Sequence, residues 1–340
     1  MLYLHIGLPR TGTTSLQTVL AQNVQELARA AYLYPEEWRD HEGIAHHNLG
    51  IAVLEGESGS ETRRQFLEYV LLNKQQHIVV STESLSNGLD RSRFPMLQAF
   101  LAGCSALVST TVVLMLRRID DVVASMYLHE MKWGEKTDPD MDRYVMLRLD
   151  WIDELFESLQ RLREASCVDS IAVIPYIDGS DSVLRILAAM GMGDSRFGAA
   201  PRKVGRRLGL KAQAALCYLD EWEAKLGCQV RSDIVGLLES GEFTFRDDAY
   251  EYDVLGYEAR QFLHGHALRA ARKQRIDEYV DAFAHACLQP SERRRIDRTL
   301  ISPGDLEDLR QELARRAAHQ ADPGSALAWE EVEKRLRDRP

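Results

Sequence analysis

Four short runs of apolar, often β-branched residues constrain the fold of this 340-residue chain most strongly. They cover residues 2–6, 77–81, 111–116 and 170–174, and none has the regular polar–apolar alternation that marks a half-exposed strand. Such runs are typical of strands buried on both faces, as in a parallel sheet covered by helices. The sequence therefore predicts an α/β fold.

Stretches with helical periodicity separate these runs. A helix is predicted to begin at about Thr14, directly after the first run. Further helices are predicted at residues 61–73, 120–132, 144–165 and 182–190. After about residue 201 the strand patterns stop, and the chain becomes charged and mostly helical, at residues 210–225, 257–286 and 306–318. Residues 227–253 carry no clear pattern.

Two parts follow from this change in pattern. Residues 1–205 are predicted to form a P-loop-type α/β core, with a parallel sheet sandwiched by helices. Residues 206–340 are predicted to form a mostly helical C-terminal part packed on that core.

Charge and cysteine content exclude several classes of function. A formal net charge of −10 gives no general attraction to nucleic acid or to an anionic membrane, so any anion site must use local arginines and lysines. The five cysteines are widely spaced and never form CxxC, which argues against a disulfide framework and against a zinc site.

The longest apolar stretch, residues 107–116, is far shorter than the ~18 residues of a membrane span, and the N-terminus lacks a basic leader. A cytoplasmic location without a membrane span is expected; the oligomeric state is left open.

A glycine-bounded loop lies between the first predicted strand and the first predicted helix. It reads Gly-Leu-Pro-Arg-Thr-Gly-Thr-Thr over residues 7–14. Glycines at both ends allow a tight turn whose N–H groups, together with the positive end of the helix dipole, face one anion. The Walker A pattern is incomplete, because Thr13 stands where a nucleoside triphosphatase has lysine, and the cation is instead Arg10.

This displaced cation resembles the sulfotransferase family, whose loop reads approximately P-[KR]-[ST]-G-[ST]-[ST]. The matching residues are Pro9, Arg10, Thr11, Gly12, Thr13 and Thr14. The resemblance implies transfer of a sulfuryl group from PAPS (3′-phosphoadenosine 5′-phosphosulfate), release of PAP, and no metal. It also implies that the amides of residues 11–14 and the Arg10 side chain stabilise the departing 5′-phosphate.

A second anion site is suggested by Arg117 and Arg118, at the carboxyl end of the third predicted strand, where ligands of open sheets bind. In the sulfotransferase family an arginine here and a serine eight residues later hold the 3′-phosphate of the donor. Arg117 and Ser125 have that spacing. The alternative is that the arginines pair with the nearby Asp120 and Asp121.

A third basic cluster follows the predicted core. It contains Arg202 and Lys203, with Arg206 and Arg207 close behind. Its position resembles a late basic loop that completes the 3′-phosphate site in some members of the family. A solvated basic surface is the alternative.

The general base that would take the acceptor proton has two candidate positions. Glu83 follows the second predicted strand, and several carbohydrate and protein sulfotransferases use a glutamate there; a carboxylate that caps the next turn is the alternative. His46 and His47, in the first long connection, are the rivals, since cytosolic sulfotransferases use histidine. A metal site at these histidines is poorly supported, because His41 is five residues away and no acidic or cysteine residue has helpful spacing.

An alternative function is a P-loop small-molecule kinase that uses ATP–Mg²⁺, in which Glu83 would act as base or magnesium ligand. Thr13 argues against that function, because a kinase of this class needs a lysine there. The acceptor is left open by the sequence: a sugar or glycan, a lipid, a phenol, a peptide tyrosine or an amine all fit.

Overall fold

The structure of the chain is a computed structural model. It describes residues 1–133, 141–165, 167–177, 181–193, 208–209, 211–216, 231–241, 243–245, 248, 255–286, 288, 300–302, 304–305, 307–309, 311–312 and 315.

A five-stranded, fully parallel sheet organises the N-terminal part of the chain, in the order β2-β3-β1-β4-β5. The strands are β1 (Leu2–His5), β2 (Tyr32–Leu33), β3 (His77–Ser81), β4 (Thr110–Leu116) and β5 (Ser170–Pro175). The central strand β1 pairs with β3 on one side, Leu4 opposite Val80, and with β4 on the other, Leu4 opposite Val112. The strand order therefore reverses at β1, the position at which open sheets bind ligands beyond the carboxyl ends of their strands.

Helices connect the strands and continue beyond the sheet. They are α1 (Thr13–Gln22), α2 (Val24–Arg29), α3 (His47–Leu54), α4 (Ser60–Leu72), α5 (Phe94–Ser105), α6 (Ile119–Trp133), α7 (Met141–Glu164), α8 (Ser182–Ala189), α9 (Arg231–Ser240), α10 (Gly256–Lys273) and α11 (Asp277–Phe283). A 3₁₀ helix, Glu83–Leu89, follows β3. None of the helices in the described part of the chain combines the length and the apolar character that a membrane span requires.

The central strands of the sheet are buried on both faces, as expected of a helix-covered parallel sheet. All seven residues of β4 are buried, and so are all four of β1. On one face Tyr3, Val79 and Val113 pack with apolar residues of α1 and α8 in a single cluster. Because this packing fixes α1 against β1, it also fixes the loop that joins them.

The chain divides into two compact units. The first contains residues 1–123, 145–204 and 260–288, and it holds the whole sheet. The second contains residues 124–144, 205–259 and 289–340. It has its own apolar core, which includes Leu216, Ile234 and Phe245, and an ion pair between Lys132 and Glu239 at 2.5 Å.

The four predicted strands are confirmed, each within one residue at either end. The prediction missed β2, α2, α3, α5, α9 and the 3₁₀ helix. A single helix was predicted over residues 257–286, but the structure has two, α10 and α11. They are separated near Arg275, whose φ is 53°. The predicted division at residue 205 falls within residues 194–207, outside the described residues, and stays a prediction. Cys104 and Cys167 are buried free thiols; the other three cysteines lie outside the described residues.

Candidate functional site

The loop of residues 7–14 leaves β1 while still paired to β4. The Gly7 carbonyl accepts a hydrogen bond from Met115 N–H at 2.7 Å, and Leu8 N–H donates to Met115 O at 3.1 Å. Gly7 has a φ of 99°, and a Cβ placed on it would lie 3.3 Å from the Cβ of Glu83. A side chain at this position would therefore meet both a strained backbone and the neighbouring turn.

The loop closes on itself before α1 begins. The buried Thr11 hydroxyl donates to Leu8 O at 2.6 Å, so Thr11 offers a ligand only its backbone N–H. Gly12 is the N-cap of α1 in the left-handed conformation, with a φ of 85°, and a Cβ there would lie 2.9 Å from Ser182 Oγ. The first N–H groups of a helix have no partner within the helix, so the positive end of the α1 dipole lies at this loop.

Glu83 reaches the loop from β3, as its position after a neighbouring strand predicts. The buried Thr13 hydroxyl donates to Glu83 Oε2 at 2.6 Å. That length is typical of a hydroxyl bound to a carboxylate. The cap of the 3₁₀ helix is not Glu83 but Thr82, whose Oγ1 accepts from Ser84 N–H at 3.2 Å. The Glu83 side chain is thus directed to α1 rather than used to cap its own turn.

Arg117 and Arg118, adjacent at the end of β4, have different partners. Arg118 binds Asp120 through Nε at 2.8 Å and approaches Asp121 at 3.3 Å. Arg260, from α10, binds the same two carboxylates at 2.7 and 2.8 Å. Asp120 is fully buried, and two guanidinium groups offset the cost of burying its charge. Arg118 therefore has the pairing that the sequence offered as the alternative to phosphate binding.

Arg117 turns instead toward the loop. Its Nη1 donates to the carbonyl of Arg10 in a long hydrogen bond of 3.4 Å, and its guanidinium lies 5.2 Å from the ring centre of Tyr176. Its Nε is buried and has no hydrogen-bond partner among the described residues. Arg117 thus brings positive charge to the same edge of the sheet as the loop.

The remaining predicted anion-binding residues come from several parts of the sequence. Pro9 and Thr14 are half-buried members of the loop, and Arg10 is exposed with a φ of 67°. Ser125 lies on α6, in the part of that helix that belongs to the second unit. Arg202 and Lys203 lie outside the described residues.

His46 is a structural residue rather than a base in this geometry. Its Nδ1 accepts from Ser81 N–H at 3.2 Å, and its Nε2 faces the Pro35 carbonyl at 2.9 Å. Because the amide can only donate and the carbonyl only accept, the ring must carry its proton on Nε2. Burial lowers the pKa of His46 to about 4, and the side chain has no access to solvent. The expectation that His46 acts as a base finds no support here.

His47 begins α3 and lies against the turn after β3. Its Nδ1 is 3.1 Å from Thr82 Oγ1 and 3.0 Å from Ser84 Oγ, and its Nε2 is 4.0 Å from Asp40 Oδ2. The structure therefore separates the two adjacent histidines: His46 ties the chain to β3, and His47 contacts the turn that carries Glu83.

Several contacts of this site were not predicted from the sequence. Tyr176 had a signal, since it follows a predicted strand in Ile-Pro-Tyr, at the same edge of the sheet as the loop. Asp40 and Arg260 gave no such signal, because their partners lie 7 and 140 residues away and no predicted helix or strand contains both members of either pair. Across the described ranges, no cluster of three or more His, Cys, Asp or Glu side chains is arranged to hold a metal ion.

Comparisons with known proteins do not extend this description. No protein-family model matches the chain, and no curated protein or solved structure matches it. The functional argument therefore depends on the residues of this chain alone.

Proposed function

We propose that the chain is a PAPS-dependent sulfotransferase of the P-loop class, which transfers a sulfuryl group to an acceptor hydroxyl or amine. One observation carries the proposal: the two strands that flank β1 deliver opposite charges to one glycine-bounded loop. Glu83, after β3, is hydrogen-bonded to Thr13, and Arg117, after β4, is hydrogen-bonded to the Arg10 carbonyl. A carboxylate and a guanidinium on opposite sides of an anion-binding turn are the groups that transfer between two oxygen atoms requires.

The donor would bind with its two anionic ends at different places. The loop amides and the start of α1 suit the 5′-phosphosulfate. Arg117 suits the 3′-phosphate, because its Nε is left without a partner among the described residues and the Tyr176 ring supports its guanidinium. Arg118 is left out of this assignment, since Asp120 and Asp121 already bind it. The assignment of Ser125 to the same phosphate, which the resemblance implies, stays a prediction.

The reaction needs one base and a stabilised leaving group. The acceptor oxygen attacks sulfur, a new O–S bond forms, and the bond between sulfur and the 5′-phosphate oxygen breaks to release PAP. The acceptor proton passes to Glu83, whose Oε2 is held by Thr13. The loop amides and Arg10 stabilise the charge that develops on the leaving phosphate oxygen.

The acidic residues beyond β4 favour sulfuryl over phosphoryl transfer. A kinase of this class places a carboxylate near the end of an apolar strand to hold Mg²⁺. Here Asp120 and Asp121 are the carboxylates near the end of β4, and Arg118 and Arg260 bind both. Thr13 also replaces the lysine that a kinase needs.

Calorimetry with PAP and with ATP–Mg²⁺ separates the two enzyme classes. Binding of PAP but not of ATP–Mg²⁺ is expected, and binding of ATP–Mg²⁺ alone would sink the proposal. Activity is then measured with radiolabelled PAPS and a fixed panel of acceptors: a disaccharide, a nitrophenol, a tyrosine peptide, and water when no acceptor is added.

Two variants test the assigned roles. Arg10→Ala should abolish transfer and weaken PAP binding, because it removes the cation of the loop. Glu83→Gln should lower turnover by about 100-fold or more, since general bases contribute typically 10²–10⁴-fold, while PAP affinity stays nearly constant. An unchanged rate in Glu83→Gln would move the base elsewhere.

A further inference from the structure

The turn after β3 is held from several sides before Glu83 extends toward α1. Thr82 is fully buried, and its Oγ1 accepts from Ser84 N–H at 3.2 Å. Within the 3₁₀ helix, the Ser86 hydroxyl donates to Glu83 O at 2.7 Å. The backbone around Glu83 is therefore held by hydrogen bonds within the turn, and Thr13 binds its carboxylate.

His47 contacts the hydroxyl groups of Thr82 and Ser84 with a single ring atom. Its Nδ1 lies 3.1 Å from Thr82 Oγ1 and 3.0 Å from Ser84 Oγ, so one ring edge spans the residues before and after Glu83. The ring is half-buried, with its side chain 27% exposed. It thus bridges helix α3 and the turn.

The surroundings of the ring define where its proton sits. Nε2 faces the carboxylate of Asp40 at 4.0 Å, and Asp40 is itself 15% exposed and accepts from Ile44 N–H. A carboxylate oxygen accepts and does not donate, so we assign the proton of neutral His47 to Nε2. The lone pair of the ring then lies on Nδ1 and faces the Thr82 and Ser84 hydroxyls rather than an incoming acceptor.

Close packing keeps His47 in this position. Gly50, one turn further along α3, approaches the same residues so closely that an added Cβ would lie 2.8 Å from both Ser84 Cβ and Thr82 Oγ1. The start of α3 is therefore pressed against the turn, which keeps the backbone of His47 close to Thr82 and Ser84.

We propose that His47 is a positioning residue for Glu83 and not the base of the reaction. It holds the hydroxyls on either side of Glu83 through Nδ1, and so keeps the carboxylate against Thr13 and the loop. This inference rests on the proposed function, because Glu83 needs that placement only if it takes a proton from an acceptor. His47 cannot also act as the base, because the Nδ1 lone pair that would take a proton already faces the Thr82 and Ser84 hydroxyls.

Three substitutions of His47 test the proposal. Asparagine places a polar atom near the position of Nδ1, glutamine places one near the position of Nε2, and alanine removes both. We expect His47→Ala and His47→Gln to lower turnover about 10- to 100-fold, the effect of a small misplacement of a reacting group. His47→Asn should recover most of the rate. His41→Asn, at an exposed histidine in the same connection, is the matched control and should leave turnover unchanged.

The measurements are turnover of radiolabelled PAPS with the same acceptor panel, PAP affinity by calorimetry, and the pH–rate profile. The proposal expects PAP affinity to stay within about threefold in all variants and the profile of His47→Asn to keep its wild-type shape. If His47→Asn is as slow as His47→Ala and its profile changes shape, His47 is the base and the proposal is overturned. Failure of the proposed function looks different: the wild-type protein would then fail to bind PAP or to turn over PAPS.

Discussion

Replacing Gly50 by alanine tests how tightly α3 is pressed against the turn that carries Glu83. In an open helix this change is favourable, because alanine stabilises a helix interior by about 1 kcal/mol relative to glycine. At Gly50, however, the new methyl group would lie 2.8 Å from Ser84 Cβ, 2.8 Å from Thr82 Oγ1 and 3.3 Å from Leu85 N. At Gly50, therefore, helix propensity favours alanine and the close contacts oppose it.

The free-energy cost of the steric overlap should exceed the gain in helix propensity. Forcing a methylene-sized group into a packed site costs about 1–3 kcal/mol. Thr82 Oγ1 cannot move aside freely, since it accepts from Ser84 N–H and contacts His47 Nδ1, and losing one such bond costs about 1 kcal/mol. After the helix gain is subtracted, Gly50→Ala should lower the free energy of unfolding by about 1–3 kcal/mol.

Gly103 provides a matched control in the same unit. It lies within α5, and a Cβ there would make ordinary contacts of 3.5 and 3.7 Å with Leu67. Gly103→Ala should therefore stabilise the protein by up to about 1 kcal/mol.

Urea unfolding followed by tryptophan fluorescence and circular dichroism gives both free energies. Turnover of Gly50→Ala should fall as well, because the turn moves. A Gly50→Ala protein as stable as Gly103→Ala would refute the claim that α3 clamps this turn.

Three further predictions concern other contacts of the site. Thr13→Val should lower turnover about 10-fold or more with PAP affinity within a few-fold, because Glu83 loses its hydrogen bond, and Thr13→Ser should restore the rate; equal rates for Val and Ser would contradict the role of the hydroxyl. Tyr176→Leu should weaken PAP binding about fivefold but leave AMP binding unchanged, since a cation–π contact is worth about 1 kcal/mol, whereas Tyr176→Phe should keep the support of Arg117; calorimetry with both nucleotides checks this. The His46 signal should titrate near pH 4 by NMR, because burial lowers its pKa from the ordinary 6.5. His46 therefore contributes up to about 3 kcal/mol of stability above pH 6.5 that is lost as the pH falls toward 4. A signal that disappears in His46→Gln but titrates near 6.5 would contradict this burial.

The sheet could be predicted because its main strands are apolar on both faces. β4 is the clearest case, since its last five residues, Val-Val-Leu-Met-Leu, include no polar residue to place in solvent. The two-residue β2 could not be predicted, because it has a single partner strand and is only half-buried. The break between α10 and α11 was hidden for another reason: Arg275 adopts a positive φ where neither glycine nor proline marks a turn.

In the candidate site, the place of a residue that follows a strand could be predicted, but its side-chain partners from distant parts of the chain could not. The place of Glu83 beside the loop followed from two neighbouring parallel strands, which end at one edge. The different partners of Arg117 and Arg118 did not follow, because adjacent residues at a strand end point in different directions and only the folded chain supplies Tyr176 to one and Arg260 to the other. The helical start of α3 was also hidden, and with it the contact of His47 with Ser84.

The central position of β1 has a consequence for the order in which the chain acquires structure. Leu2 pairs with Ile78 and with Thr110, so both edges of this first strand stay open until distant parts of the chain arrive. Pairing over such sequence separations slows folding, because the entropy of closing long loops must be overcome before the contacts form. During synthesis, the loop that precedes α1 can therefore take its final shape only after the ribosome has released residues beyond β4.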